Sequence, residues 1–487
     1  MTKLRKVVTC VGVSSLLIVV FMCYQSSYYL FIENTATLHK KKLITPIHIF
    51  KREFQDVNIT NSAASLACTA CVSYINNTKN KTYEYFSGKY SLDKPPMTSW
   101  IKPENTQSFC DNRVIIYSDL FGIIHNVTLF PTRRNKISSQ AKGGEEIKEV
   151  LNQGEDKENY QFNSDFLEME CKNDVDVGSH SLKTMWLKSL KLVPAKQSES
   201  KNLSLKYIEK YVIAVRRQDY ANLHNWVRNI YNTFLMMMHF RIQPKDVSVL
   251  FMDGHPWTEL DKAWEVLYNK PVRVGRMQQS VNYQNFILGF QENHGPITEF
   301  HNQQVSYIEE FRSFVFSQFN LDPSDKLDCS KPRITLIIRR NAVYHPRNVV
   351  GNVGRKIFNE AELINDLMKA FPNACVKPSL MEALPMRSQL DVIKRTDILI
   401  GMHGAGMSHV TFLPKHAGVL ELFAKGFKNG RPWFECFNSI AKWRNLQYDS
   451  WENFDSALEM PADFTILPTD VIVDKTRGLM NKLCKKQ

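Results

Sequence analysis

Three groups of residues in this 487-residue chain have the types and spacing to do chemistry. The first is the turn His403-Gly404-Ala405-Gly406, directly after the apolar run Ile398 to Ile400. Glycines lack a Cβ and let main-chain N–H groups approach a ligand closely. A helix starting beneath such a turn sets partial positive charge against an anion, a contribution of about 0.3–2 kcal/mol. The turn therefore suits the diphosphate of a sugar nucleotide. His403 could donate to a phosphate or a ribose hydroxyl. Glu421, in the next apolar run, could bind ribose hydroxyls or pair with a neighbour. The second group is Arg339-Arg340, closing the run Arg333 to Ile338, with Arg347 beyond it. Asp174 and Asp176 resemble a metal-gripping carboxylate pair but lack the preceding apolar strand that such a pair needs. Guanidinium groups, whose donors fork toward two oxygens, are then the candidates to neutralise a leaving diphosphate. The third group is Asp253, His255 and His224, candidates for the general base that takes the acceptor hydroxyl's proton in an inverting sugar transfer.

These residues need a scaffold that brings loops together. The apolar run Ile398 to Ile400 reads as a buried strand, Ser408 to Leu413 as the first turns of a helix, and Gly418 to Phe423 as the next strand. Upstream, Arg333 to Ile338 and Ala374 to Val376 read as strands. A helix to Phe371, opened by Asn359 with Glu362, and another over Met386 to Arg395 separate them. Strand and helix alternate, the signature of a right-handed parallel sheet. The middle of the chain repeats the pattern: strands at Tyr211 to Val215 and Val247 to Met252, helices at Asn222 to Phe240 and Thr258 to Tyr268. Asp253-Gly254-His255 stands just past a strand's carboxyl end, where open α/β sheets place ligands. Two α/β domains facing across a cleft are the expectation, at residues 67–325 and 330–487, with 133–160 as a charged, solvated loop of the first.

The N-terminus sets a compartment. Residues 1–6 carry Lys3, Arg5 and Lys6. Residues 7–27 are an uncharged apolar segment long enough to span a bilayer, and 28–66 read as a stem. No small-x-small cleavage site follows, which favours an uncleaved anchor with the body on the lumenal side. Sequons at Asn58, Asn76, Asn80, Asn126 and Asn202 agree with passage through the secretory pathway. Eight cysteines follow the anchor, an even count that suggests disulfides, with Cys68 and Cys71 read as structural. The net charge of +13 is dispersed and forms no basic stripe interleaved with aromatics, so nucleic acid is not the expected partner.

The chain resembles glycosyltransferase family 61, most closely its plant-type N-glycan core β-1,2-xylosyltransferase branch. The resemblance covers roughly residues 207–460. It is carried by Tyr220-Ala221-Asn222-Leu223, Asp253-Gly254-His255 with Leu260 and Trp264, and Arg339-Arg340 with His345-Pro346-Arg347. Further along lie the His403-Gly404-Ala405-Gly406 turn, Arg431-Pro432 with Phe434-Glu435, and Ile440-Ala441-Lys442-Trp443. It implies a two-domain GT-B fold, UDP-xylose as donor and inversion at the anomeric carbon. It also implies the 2-hydroxyl of the core β-mannose of N-glycans as acceptor, no required metal, and a type II Golgi membrane protein. Asn222, Arg431 and Lys442 are expected on the acceptor side. One departure stands out: where the family usually has a His and, four residues on, an Asp, this chain has Asn225 and Asn229, with His224 displaced by one. The two asparagines motivate one alternative, a non-catalytic glycan-binding relative; a second is a family relative that places N-acetylglucosamine on protein O-linked sites, against which the His-Pro-Arg and Ala-Lys-Trp segments argue.

Overall fold

The computed structural model describes residues 105–118, 120–136, 145–146, 154–172, 187–290, 294–299, 303–305, 307–342, 345, 348, 350–428 and 432–485. The expected anchor and stem, Cys68 and Cys71, Arg347 and Arg431 lie outside these residues. Among the described residues no helix is long and apolar enough to cross a membrane.

The first sheet has nine strands. In chain order they are β1 (Thr106–Phe109), β2 (Val114–Tyr117), β3 (Phe121–Leu129), β4 (Leu167–Glu170), β5 (Leu190–Val193), β6 (Lys206–Val215), β7 (Val247–Phe251), β8 (Val272–Arg273) and β9 (Val281–Leu288). Seven lie in the order β1-β2-β3-β9-β6-β7-β8, while β4 pairs with β3 and β5 with β4. Strands β9, β6, β7 and β8 run parallel, and an antiparallel meander of β1, β2 and β3 extends one side. Helix α1 (Leu223–Phe240) follows β6, and α2 (Glu259–Tyr268) follows β7. Trp226, Ile230, Phe234 and Met237 recur at helical spacing and bury the inner face of α1. Asn222 caps its N-terminus by accepting from the His224 N–H. At the start of α2 the Asp261 carboxylate accepts from the Thr258 N–H at 2.7 Å, satisfying the backbone of the cap residue.

Helix α3 (Ile308–Gln318) leads to a second, five-stranded sheet: β10 (Arg333–Ile337), β11 (Cys375–Ser379), β12 (Ile398–Met402), β13 (Gly418–Phe423) and β14 (Gln447–Glu452). Every pairing in it is parallel, in the order β11-β10-β12-β13-β14. Helices α4 (Glu360–Ala370), α5 (Met386–Lys394), α6 (Cys436–Trp443) and α7 (Thr469–Cys484) complete it. The central strands β12 and β13 are buried throughout and, Glu421 apart, apolar, because both faces are covered. Asn359 departs from its expected role. Its side chain makes no cap bond to α4, but donates to Glu362 at 2.9 Å and exchanges hydrogen bonds with the Leu467 backbone.

One apolar core runs under both sheets. It joins Trp226, Ile230 and Phe234 of α1 and Phe311 of α3 to Ile337, Leu399, Met407, Val410, Phe412 and Val419. The 3-10 helix Ala405–Phe412 is the shared piece: it begins earlier than the sequence suggested and is largely buried beyond its first two residues. Arg312 donates to Phe412 O at 3.0 Å, and Arg444 to Val410 O at 3.0 Å.

Residues 133–160 are not simply a solvated loop. Arg134–Lys136 pairs with Tyr160–Phe162, and Glu158 is buried. Two of its described charges are paired: Glu158 meets His255, and Glu145 accepts from Arg276 at 2.6 Å. Two disulfides join Cys110 to Cys171 and Cys329 to Cys484. Cys375 is disulfide-bonded as well, whereas Cys436 is a buried free thiol, so the even count does not translate into full pairing.

Candidate active site

The strand order of the second sheet places the site. The chain runs from β10 to β11 on one side, then crosses to β12 on the other. Strand order 2-1-3-4-5 has its topological switch point between the first and third strands, and ligands sit outside the carboxyl ends there. Here that crevice lies between Arg339, two residues past β10, and His403, one past β12.

The turn is built for close approach. The His403 N–H donates to Leu422 O at 2.7 Å, and Met407 N–H to Gly404 O at 2.8 Å. The N–H groups of Ala405 and Gly406 belong to the first turn of the 3-10 helix and have no partner within it. A Cβ on Gly404 would lie 2.3 Å from Nη1 of Arg339 and 3.3 Å from Nη2 of Arg355. Only glycine fits between these two guanidiniums and the turn. Beneath it, the His409 ring donates from Nδ1 to Gly406 O at 2.7 Å. Burial pushes its pKa down to about 4, so it stays neutral.

Arg355 is the residue that the sequence reading missed. It is an ordinary-looking arginine in a loop, 16 positions past Arg339, and nothing in the local pattern marks it. Its backbone is left-handed (φ 58°), and its guanidinium lies 5.0 Å from the Phe427 ring centroid. Burial and then repulsion from Arg339 bring its pKa down to about 10, with Asp463 working the other way. Two like charges held together in a half-buried place are a site for an anion. Arg340, paired with Arg339 in the sequence reading, is turned elsewhere: it grips Glu360 at the start of α4 through both terminal nitrogens.

His403 is buried, and its Nδ1 meets Glu421 Oε1 at 2.5 Å. The second Glu421 oxygen accepts from the Tyr448 hydroxyl at 2.7 Å. Glu421 is wholly buried and both oxygens are occupied, so it orients His403 instead of reaching ribose. Phe423, Phe427 and Phe437 surround the His403 ring at centroid distances of 5.1, 4.8 and 5.2 Å.

From the first sheet, the N-terminus of α1 reaches this turn. Nδ1 of His224 lies 3.3 Å from the Ser408 hydroxyl, and its ring meets Phe437 edge-on at 5.5 Å. His224 is half-buried. Asp253 and His255 are both wholly buried. Arg217 holds Asp253 through its backbone N–H at 2.9 Å and through Nη2 at 2.6 Å, and donates to Asp261 at 2.7 Å. Burial alone would raise the Asp253 pKa; Arg217 and His255 outweigh it and hold the carboxyl well below the usual range. Nδ1 of His255 meets Glu158 at 2.6 Å, Nε2 meets Arg217 O at 3.0 Å, and Tyr220 stacks on the ring at 4.4 Å. These two residues brace the turn after β7; a base must reach its substrate, and these cannot. Asn222 is likewise occupied as the α1 cap and donates to Asp219 at 2.9 Å. Lys442 is exposed near the C-terminal end of α6, away from the Phe437 end that touches His403 and His224.

A sequence profile described as Glycosyltransferase 61 matches residues 294–420, which span α3, β10, β12 and the glycine turn. The chain carries a glycosyltransferase 61 domain. It is 23% identical over 377 residues to a β-1,2-xylosyltransferase of Oryza sativa subsp. japonica, covering 69% of this chain and 67% of that protein. Against a β-1,2-xylosyltransferase of Arabidopsis thaliana it is 24% identical over 316 residues, covering 57% and 56%. Against an EGF domain-specific O-linked N-acetylglucosamine transferase of Drosophila melanogaster it is 36% identical over 146 residues, 30% of this chain and 25% of that one. The chain thus spans from a quarter to two thirds of these relatives.

Proposed function

We propose that the protein is an inverting glycosyltransferase of GT-B type that moves xylose from UDP-xylose to the 2-hydroxyl of the core β-mannose of N-glycans. The observation that carries the transferase reading is the convergence of Arg339 and Arg355 on Gly404, with His224 presented from the other sheet. The diphosphate lies against these guanidiniums and the Ala405 and Gly406 N–H groups. His224 takes the proton from the acceptor hydroxyl. The acceptor oxygen then attacks the anomeric carbon from the face opposite UDP. The bond from that carbon to the β-phosphate oxygen breaks, and its electron pair leaves with UDP. The charge that develops on the leaving oxygen falls beside Arg339 and Arg355, where fixed donors in a half-buried site are most effective. His403, oriented by Glu421, donates to the nucleotide. Guanidinium groups take the role that a divalent ion plays elsewhere, so activity should survive chelation.

The choice of xylose rests on the two plant relatives and on the Asp-Gly-His, His-Pro-Arg and Ala-Lys-Trp segments. The higher local identity to the N-acetylglucosamine transferase favours a second reading, transfer of that sugar to protein hydroxyls. The place of action is the Golgi lumen, with residues 7–27 as a type II anchor; disulfides among the described residues support an oxidising compartment. Incubating the purified protein with UDP-xylose or UDP-N-acetylglucosamine, each with a trimmed N-glycan or a folded acceptor domain, separates the readings. Xylose on the glycan, insensitive to EDTA, is the expected product. N-acetylglucosamine on the protein acceptor would select the second reading, and binding without turnover a glycan-binding relative.

A further inference from the structure

The donor crevice has a third charged member that the transfer itself does not use. Strands β11, β10 and β12 lie side by side and parallel, with Ile337 level with both Ser379 and Gly401. Their carboxyl ends therefore present, in lateral order, the turn Met381–Ala383, then Arg339, then His403–Gly406. Glu382 occupies the middle of the first turn and is half-buried. Burial raises its carboxyl pKa, while its own backbone N–H and then Arg339 and Arg340 act in the opposite direction. Arg340 is engaged with Glu360, and Arg339 is directed to the Gly404 turn and His403 O. Among the described residues, no side chain donates a hydrogen bond to Glu382. A partly desolvated carboxylate served by its own backbone N–H keeps further acceptor capacity, which a ligand hydroxyl would fill.

We propose that Glu382 accepts hydrogen bonds from the ribose diol of the nucleotide donor. The inference rests on the diphosphate position given above. Neighbouring strands stand about 4.8 Å apart, so Glu382 and the glycine turn, two strands away, are separated by about 10 Å at strand level. That is room for a nucleoside diphosphate rather than a lone phosphate. Direction follows from chemistry: the sugar to be transferred must lie toward His224, which meets Ser408 on the β12 side. The nucleoside then extends the other way, over β10 toward β11. A carboxylate past the strand beside the phosphate site is also how doubly wound folds take ribose hydroxyls.

The test is calorimetric titration of UDP and of 2′-deoxy-UDP into the purified protein and into Glu382→Gln and Glu382→Ala variants, with thermal unfolding as the control for folding. Wild type should bind UDP about tenfold or more tighter than the deoxy compound, the loss of one charge-assisted hydrogen bond. Both variants should bind UDP at least as weakly as wild type binds 2′-deoxy-UDP, and should no longer distinguish the two. Retained discrimination in well-folded variants would overturn the ribose assignment while leaving the diphosphate site intact. Failure of wild type to bind UDP at all would instead overturn the donor site, and Glu382 with it.

Discussion

At the scale of single residues, the donor site depends on what stands around Gly404. Replacing Gly404 by Ala puts a methyl against the Arg339 guanidinium, the flexible end of a side chain. The fold as a whole should persist, but the turn, held at φ 156°, must shift together with that side chain. The anion site should not: UDP affinity should fall about tenfold or more, the worth of one displaced charge-assisted hydrogen bond, as read by titration. In the proposed reaction His224 belongs to the chemical step. His224→Ala should lower kcat by about 10²–10⁴-fold and leave KM for the donor nearly unchanged, which steady-state kinetics would separate. An unchanged kcat would remove it as the base. The turn itself was legible in the sequence because glycine, histidine and an apolar run announce a strand end. Arg355 was not, because a loop arginine carries no local signal; only the folding back of its loop sets it beside Arg339. Asp253 and His255 were misjudged for a related reason. A carboxylate and an imidazole one residue apart look like an acid–base pair, and sequence does not show that Arg217 and Glu158 already occupy them.

At the scale of elements, the alternation of apolar runs and helical spacings predicted β6, β7, β10, β12, β13, α1, α2, α4 and α5 within a few residues. Each is a buried strand or an amphipathic helix, whose pattern reflects one local environment. Strand β9 and the packed segment 154–162 depend on partners far along the chain, so their roles were not legible. The network around the turn after β7 is the element-level device: Arg217 ties Asp253 to Asp261, and His255 ties the turn to Glu158. Breaking a buried pair by removing one partner costs about 3–5 kcal/mol, so Asp253→Asn should lower the midpoint of thermal unfolding substantially. The sign of the pH effect follows. The Asp253 carboxyl is held below its ordinary value, so its contribution is complete above the unfolded pKa of about 4 and is lost as pH falls through the folded value. The variant should therefore approach wild-type stability in strong acid and differ most above about pH 4.

At the scale of the whole molecule, the two sheets share a core through the 3-10 helix Ala405–Phe412, the segment that also carries the proposed anion-binding turn. Binding at the turn and packing between the sheets are thus one construction. The Cys329–Cys484 disulfide closes a loop over the entire second sheet, from just before β10 to the end of α7. Its loss through Cys329→Ser should cost about 2–5 kcal/mol, seen as a lower unfolding midpoint, while nucleotide affinity below that midpoint stays unchanged. That the chain forms two α/β sheets with parallel strands at their centres was readable from sequence, since alternation admits few topologies; which loops meet was not, since that depends on how the sheets pack. The account turns on a nucleotide diphosphate held at the switch point by paired guanidiniums. Titration of UDP into the purified full-length protein and into Arg355→Ala tests this most directly. The account predicts saturable one-to-one binding to wild type, weakened about ten- to a hundredfold in the variant with its unfolding midpoint preserved. Equal affinity in the two proteins, or no binding by wild type, would contradict it.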